Sequence, residues 1–373
     1  MSKPGIYIHI PFCRSRCSYC DFATDVYKNA ETVERYVSAL TREIENFPAT
    51  ETVDTIYFGG GTPSLLNPAQ LEKILDAIYK KFSVADDSEI TMEMNPATMT
   101  LATVQEYRNL GVNRASFGAQ TFDDTELKRL GRKHTAQDVR ETIELLRRAN
   151  FDNVSFDLIA GLPRQTLKDW QRNLDEALKL KPEHLSLYLL EIHEATPLAE
   201  QIRSKRQPMP DEDLSAEMYE LMLEKVSSEG YKQYEISSFA LPNFQSKHNS
   251  KYWTLNTVFG FGCSAHSFDG QKKRWANERD TLKYVETVEK NLSPIVGENE
   301  IDQKSEYVFL GLRLSKGIDL DEYKKKFGAD LTEEYAEDFE RLQEAELIEI
   351  SENRLKLTNK GRLFSNEVFA VFV

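Results

Sequence analysis

Six short β-like runs alternate with amphipathic stretches through the first half of the chain, and this alternation constrains the fold more than any single motif. The runs are IYIHI (6–10), TIYFGG (55–60), EITMEM (89–94), RASFGAQ (114–120), NVSFDLIAG (153–161) and HLSLYLLEI (184–192). Between them, ERYVSALTREIENF, NPAQLEKILDAIYKKF, LATVQEYRNLG, AQDVRETIELLRRANF and TLKDWQRNLDEALKL repeat apolar residues at helical spacing. Asn67 before Pro68, and Thr166, are helix-start signals. Strands separated by helices build a parallel sheet, here expected to curl into part of a barrel. The expectation is an α/β fold with a partial (βα)6 barrel over residues 1–205. Its functional residues belong at the C-terminal strand ends.

A chain of 373 residues is too long for one ordinary core. Beyond the polar, proline-containing RSKRQPMPDEDL, an α/β extension is expected over 206–298, opening with the helix DLSAEMYELMLEKVSSEGY. Residues 299–373 read as three helices, the short strands LIEI and RLKLT and a last helix, a winged-helix-like order. The stretch LTEEYAEDFERLQEAELIEISE is acidic where a DNA-facing helix would be basic, and the whole chain carries a net charge of -14. Nucleic acid is therefore not an expected partner. No apolar stretch approaches bilayer length, and the N-terminus enters a strand with no room for a signal peptide. Four unevenly spaced cysteines do not form a disulfide framework, so a cytoplasmic location is expected.

Three of those cysteines, Cys13, Cys17 and Cys20, crowd into HIPFCRSRCSYCDF after the first strand, and Cys263 lies far away. Three thiolates are one short of a closed tetrahedral zinc site or a fully ligated iron–sulfur cube. Two readings stand: a zinc site completed by a histidine or Cys263, and a [4Fe–4S] cluster with one iron left open. YFGGGTPS places Gly59, Gly60, Gly61 and Thr62 after the second strand, beside the cysteine loop in the expected barrel. Most glycine-rich turns are only tight turns. Absence of Cβ here also permits close approach of a ligand to the backbone.

The Cys-x3-Cys-x2-Cys loop resembles that of the radical S-adenosylmethionine (radical SAM) superfamily. The resemblance implies that S-adenosylmethionine chelates the open iron through its amino and carboxylate groups, and that one electron from the cluster releases a 5′-deoxyadenosyl radical. It also implies that Tyr19 packs near the adenine and that the turn at 59–62 contacts the methionine amino group. HIPFC, FGGGTPS, Glu93 in TMEMNPAT, FGAQTFDDTELKRLGRKH and FDLIAGLPRQT are similar to one branch of that superfamily. The branch holds the oxygen-independent coproporphyrinogen III dehydrogenases and the HemW-type heme chaperones. It implies cofactor roles for Tyr7, Glu93, Gln120, Arg132 and Asp157, with carboxylates for ribose hydroxyls or the amino group and an arginine for the carboxylate.

Two departures favour the chaperones. Phe22, counted with the cofactor bed, stands where the dehydrogenases have a further cysteine, and their N-terminal extension is absent because Tyr7 comes almost first. KHNSKYW (247–253) is similar to the chaperones' HNxxYW motif at His248, Asn249, Tyr252 and Trp253. This implies heme contact, with a neutral His248 as axial ligand and aromatic rings on the porphyrin face. Read without the resemblance, His248 and Trp253 are loop and core residues. His9 is read as structural, His266 as part of a packed loop and Cys263 as a small buried hydrophobe. The function expected is heme transfer to hemoprotein acceptors, membrane respiratory enzymes included. Turnover of S-adenosylmethionine, a homodimer and peripheral membrane association through a partner stay open. The alternatives are a radical enzyme acting on a porphyrin precursor and a radical methyltransferase.

Overall fold

The computed structural model describes residues 2–48 and 50–372. The six expected strands form: β1 (Gly5–Ile10), β2 (Thr52–Gly60), β3 (Ser83–Met94), β4 (Arg114–Gln120), β5 (Val154–Ala160) and β6 (His184–Leu189). Each pairs in parallel with the next. The helices between them start where the sequence signals them. Asn67 caps Pro68–Lys81 in a reciprocal box with Gln70, and Thr166 caps Leu167–Lys179 in the same way with Asp169.

Alternation along the strands separates two faces. Ile6, Ile8, Ile56, Phe58, Met92, Phe117 and Phe156 join helix residues such as Val37, Leu40, Leu71 and Ile74 in one large core. The intervening positions are polar or aromatic. The register sets Tyr7 beside Tyr57, Tyr57 beside Thr91, Gly118 beside Asp157 and Asp157 beside Ser186. The site is built on this polar face.

β2 and β3 begin earlier than expected because Thr52 and Val53 pair with Ser83 and Val84 beyond a register shift. That extension carries Asp86, Asp87 and Ser88, residues with poor strand preference, and only the pairing holds it extended. Residues 206–298 add strands to both edges of the same sheet. Ser238–Ala240 pairs antiparallel with β6 and carries Lys232–Gln233 outside it, and Val258–Phe261 lies parallel to β1. His266–Phe268, Lys273–Asn277 and Ile295–Glu300 follow outward to complete a twelve-stranded sheet. The C-terminal segment has its own core, which includes Val308, Tyr323, Phe339, Leu355 and Phe369. A hairpin of Ile348–Ser351 with Arg354–Leu357 stands against its helices. No helix among the described residues is long and apolar enough to cross a membrane.

Candidate functional site

The cysteine loop leaves β1 and is tied down from three sides. His9 on β1 bonds Tyr7 Oη through Nδ1 at 3.1 Å and the Ala23 carbonyl through Nε2 at 2.9 Å, which makes it the loop's brace. The Ser18 amide donates to the Leu130 carbonyl at 2.9 Å. Thr62 Oγ1 lies 3.5 Å from Cys13 Sγ, and Arg132 Nη1 lies 3.7 Å from Cys17 Sγ. All three cysteines are free and half-buried. Burial pushes the Cys13 thiol up to about 11, against the Thr62 hydrogen bond that lowers it.

The glycine turn packs directly beneath this loop. A Cβ on Gly61 would sit 2.6 Å from the Pro11 carbonyl oxygen and 2.8 Å from that of Phe12. Gly60 adopts φ +110, where side chains are strained, and its Cβ would meet the His9 ring at 2.6 Å. The Gly60 amide donates to Glu93 Oε2 at 3.1 Å, and Tyr57 Oη donates to Glu93 Oε1 at 2.8 Å. Glu93 is thus clamped at the end of β3, facing the turn. Burial, helped by the neighbouring Asp157 charge, pushes its carboxyl up to about 7. Asp157 on β5 is likewise raised by burial, to about 6, against a Ser186 hydrogen bond that lowers it.

Gln120 sits at φ +66 where β4 bulges against β5, a strained residue at a strand's C-terminal end. A Cβ on the neighbouring Gly118 would lie 2.3 Å from Gln120 Nε2 and 3.4 Å from Arg132 Nη2, so glycine there makes room for both side chains. Arg132 Nη2 donates to the Gly118 carbonyl at 2.6 Å and to Asn95 Oδ1 at 2.8 Å. Asn95 Nδ2 in turn donates to Thr62 Oγ1 at 2.7 Å, linking the arginine to the glycine turn. Sequence reasoning passed over Asn95 although it stands two residues after Glu93 in a quoted motif. Tyr19 packs against Leu130, Ile159 and Leu162, an apolar patch beside the loop. Phe22 is 68 % exposed and is not drawn into this bed.

Two half-buried carboxyls with raised pKa values, and no ion-pair partner for either among the described residues, suit a ligand that carries positive charge. S-adenosylmethionine, a sulfonium with an ammonium group, has that character. Cys13, Cys17 and Cys20 would hold the cluster, and the turn at 59–62, Glu93, Asp157 and Arg132 would hold the cofactor. When bound, the pair supplies a reducible sulfonium beside an electron source. The protein's own part is to brace the loop, clamp Glu93 and keep this face of the sheet polar.

The KHNSKYW stretch is not a loop. KHNSKYW forms a helix, Lys247–Trp253, which brings His248 and Tyr252 together one turn apart. His248 is completely buried: Nδ1 bonds Thr55 Oγ1 at 2.9 Å and Nε2 meets Tyr252 Oη at 3.2 Å. Its ring stacks on Tyr57 at 5.0 Å, and Tyr57 stacks on Tyr7 at 6.1 Å. Burial and the nearby Lys251 charge push the imidazole down to about 3, so it is neutral. The expected open axial ligand is therefore a core imidazole with both nitrogens partnered. Trp253 packs with Leu310 and Phe309 of the C-terminal segment, and the Arg313 guanidinium covers one face of its ring at 4.3 Å.

Cys263 is buried, with its amide donating to Tyr36 Oη at 3.1 Å, as a structural residue would be. His266 departs from the packed-loop expectation: it is exposed at the start of a short strand, because it pairs with Ala276 while its side chain faces outward.

Residues 7–177 match the Radical SAM superfamily and residues 299–364 the HemN C-terminal domain. The fold and the site define a radical SAM protein. The fold is shared with coproporphyrinogen III oxidase (HemN) from Escherichia coli at a TM-score of 0.86, covering 100% of this chain and 90% of that one at 23% identity. Sequence similarity is higher to the "Heme chaperone HemW" of Bacillus subtilis, at 37% identity over 98% of both chains. The Lactococcus lactis protein of the same name is 34% identical over 100% of this chain and 98% of its own. The chain belongs to the HemW heme chaperone family.

Proposed function

We propose that this chain binds heme and transfers it to hemoprotein acceptors, with a [4Fe–4S] cluster on Cys13, Cys17 and Cys20 and S-adenosylmethionine beside Glu93. The observation that carries this reading is the similarity to HemW chaperones over 98% of both chains. The absence of a cysteine at Phe22 supports it against the dehydrogenase alternative. The reading places the protein in the cytoplasm, where thiols stay reduced.

In this reading heme approaches the Lys247–Trp253 helix, and Tyr252 is the gate. Tyr252 is 36 % exposed while its hydroxyl caps His248 Nε2, so an outward swing exposes a neutral imidazole to iron. An anaerobic hemin titration of cluster-reconstituted protein, followed at the Soret band, tests this. Wild type saturates near one heme per chain, His248→Ala loses or shifts the band, and Tyr252→Phe, lacking the cap, coordinates iron faster. Identical, unsaturable curves for all three proteins would sink the reading.

Glu93 makes cofactor binding pH-dependent with a definite sign. Its carboxyl, near 7, is protonated at lower pH and must lose that proton to meet a cation. Affinity for S-adenosylmethionine should fall about tenfold per pH unit below 7 and level off above it. Equilibrium dialysis from pH 5.5 to 8.5 checks this, and Glu93→Gln should flatten the profile. A wild-type profile already flat would remove Glu93 from the cofactor.

The complete cofactor bed also favours a second reading, a radical enzyme acting on a tetrapyrrole precursor. Its mark is 5′-deoxyadenosine that accumulates only when coproporphyrinogen is added.

A further inference from the structure

The seam between the Lys247–Trp253 helix and the C-terminal segment gathers polar groups whose bonding is incomplete. Arg313 reaches across it, with its guanidinium carbon over the Trp253 ring at 4.3 Å. Its Nη2 stops 3.7 Å from Glu235 Oε2, an ion pair too long to be a hydrogen bond. Glu235 is 4 % exposed, and its Oε2 has no hydrogen-bond partner among the described residues. Arg313 Nε, Trp253 Nε1 and Ser315 Oγ are buried and unpartnered as well. The backbone holds these groups together: Glu235 and Leu314 form an isolated bridge, and the Ile236 amide donates to the Arg313 carbonyl at 3.1 Å.

Three of the four unpartnered atoms belong to groups that donate: a guanidinium, an indole and a hydroxyl. The one acceptor among them, Glu235, is not within hydrogen-bond reach of the guanidinium. Leaving such donors unmet is costly, and a carboxylate, which only accepts and matches the guanidinium fork with two oxygens, would satisfy them. The Trp253 ring that carries Arg313 lies 6.5 Å from the Tyr252 ring, the gate over His248.

We propose that Arg313 is a carboxylate-binding residue that takes a propionate of the bound tetrapyrrole, exchanging it for the internal carboxylate of Glu235. This assignment rests on the heme reading above. It gives the C-terminal segment a part in holding the ligand. It also provides a way to recognise a porphyrin by its acidic edge as well as by its metal.

The test compares hemin with hemin dimethyl ester, whose propionates carry no charge, in titrations of the reconstituted full chain. Wild type should bind hemin about tenfold or more tightly than the ester, the size of a charge-assisted hydrogen bond. Arg313→Met keeps an unbranched stem over Trp253 and should lose that preference with the Soret position unchanged. The double variant Arg313→Met/Glu235→Gln leaves no unpaired buried carboxylate and should lose it too, which guards against a folding artefact. Glu235→Gln alone, with Arg313 freed of its competitor, should widen the preference. If the preference survives both Arg313 variants, or Glu235→Gln leaves it unchanged, the assignment is overturned while the heme reading stands. If wild type shows no saturable hemin binding, both fall.

Discussion

Cys17→Ser should abolish the cluster's charge-transfer absorption in the visible blue, the largest effect expected of any single substitution here. In the proposed cluster three thiolates would hold three irons, and a serine oxygen is a poor substitute for thiolate at a soft metal. The position is also where the loop meets the cofactor bed, since Arg132 Nη1 lies 3.7 Å from Cys17 Sγ. Cys263→Ser is the matched control. Its sulfur is buried near Tyr36, within hydrogen-bonding distance of Tyr36 Oη at 3.7 Å, and its loss should leave the absorption intact. Full absorption in Cys17→Ser would overturn the ligand assignment. Its loss in Cys263→Ser would instead favour a metal site completed by Cys263 as a fourth thiolate.

Gly61→Ala should displace the cysteine loop itself. The added methyl would lie 2.6 Å from the Pro11 oxygen, 2.7 Å from its carbonyl carbon and 2.8 Å from the Phe12 oxygen. These atoms are backbone, so no side chain can rotate away, and the chain entering the cluster loop must move. Overpacking of this kind costs about 1–3 kcal/mol. The larger consequence is geometric, because Cys13 directly follows Phe12. Melting should show the loss of stability, and iron counting after reconstitution should show incomplete clusters. A variant that melts and loads iron like wild type would mean that the loop tolerates the shift. By contrast Gly328→Ala, at φ +69 with nothing within 4 Å of its Cβ, should cost only the strain of its backbone and leave cluster loading unchanged.

Much of this molecule is legible along the chain. Alternating Ile and polar residues in IYIHI, the helix start at Asn67 and Pro68 and the cysteine spacing are patterns set by residues a few positions apart, where strand pleat, helix turn and loop reach act directly. The late strands Val258–Phe261, His266–Phe268, Lys273–Asn277 and Ile295–Glu300 were not legible. They are short or polar, and Ile295–Glu300 is exposed at every position. Pairing with neighbours makes them strands, since their own composition does not demand it.

The cofactor bed shows the same division. Cys13, Cys17, Cys20, the glycine turn and Glu93 announce themselves in local motifs. The clamp on Glu93, the bond from Asn95 to Thr62 and the strain at Gln120 exist only once separate strands lie side by side.

His248 marks the limit most clearly. The sequence by itself determined that a histidine and two aromatic residues stand in KHNSKYW, a stretch similar to the chaperones' HNxxYW motif. Only the tertiary structure decided that this histidine is buried. Its partner Thr55 lies 193 residues away, its ring rests on Tyr57, and Trp253 is covered by Arg313 from the C-terminal segment. Motif chemistry is a property of neighbouring residues, whereas burial depends on what distant parts of the chain bring to the same place, and that follows from the packing of the whole sheet.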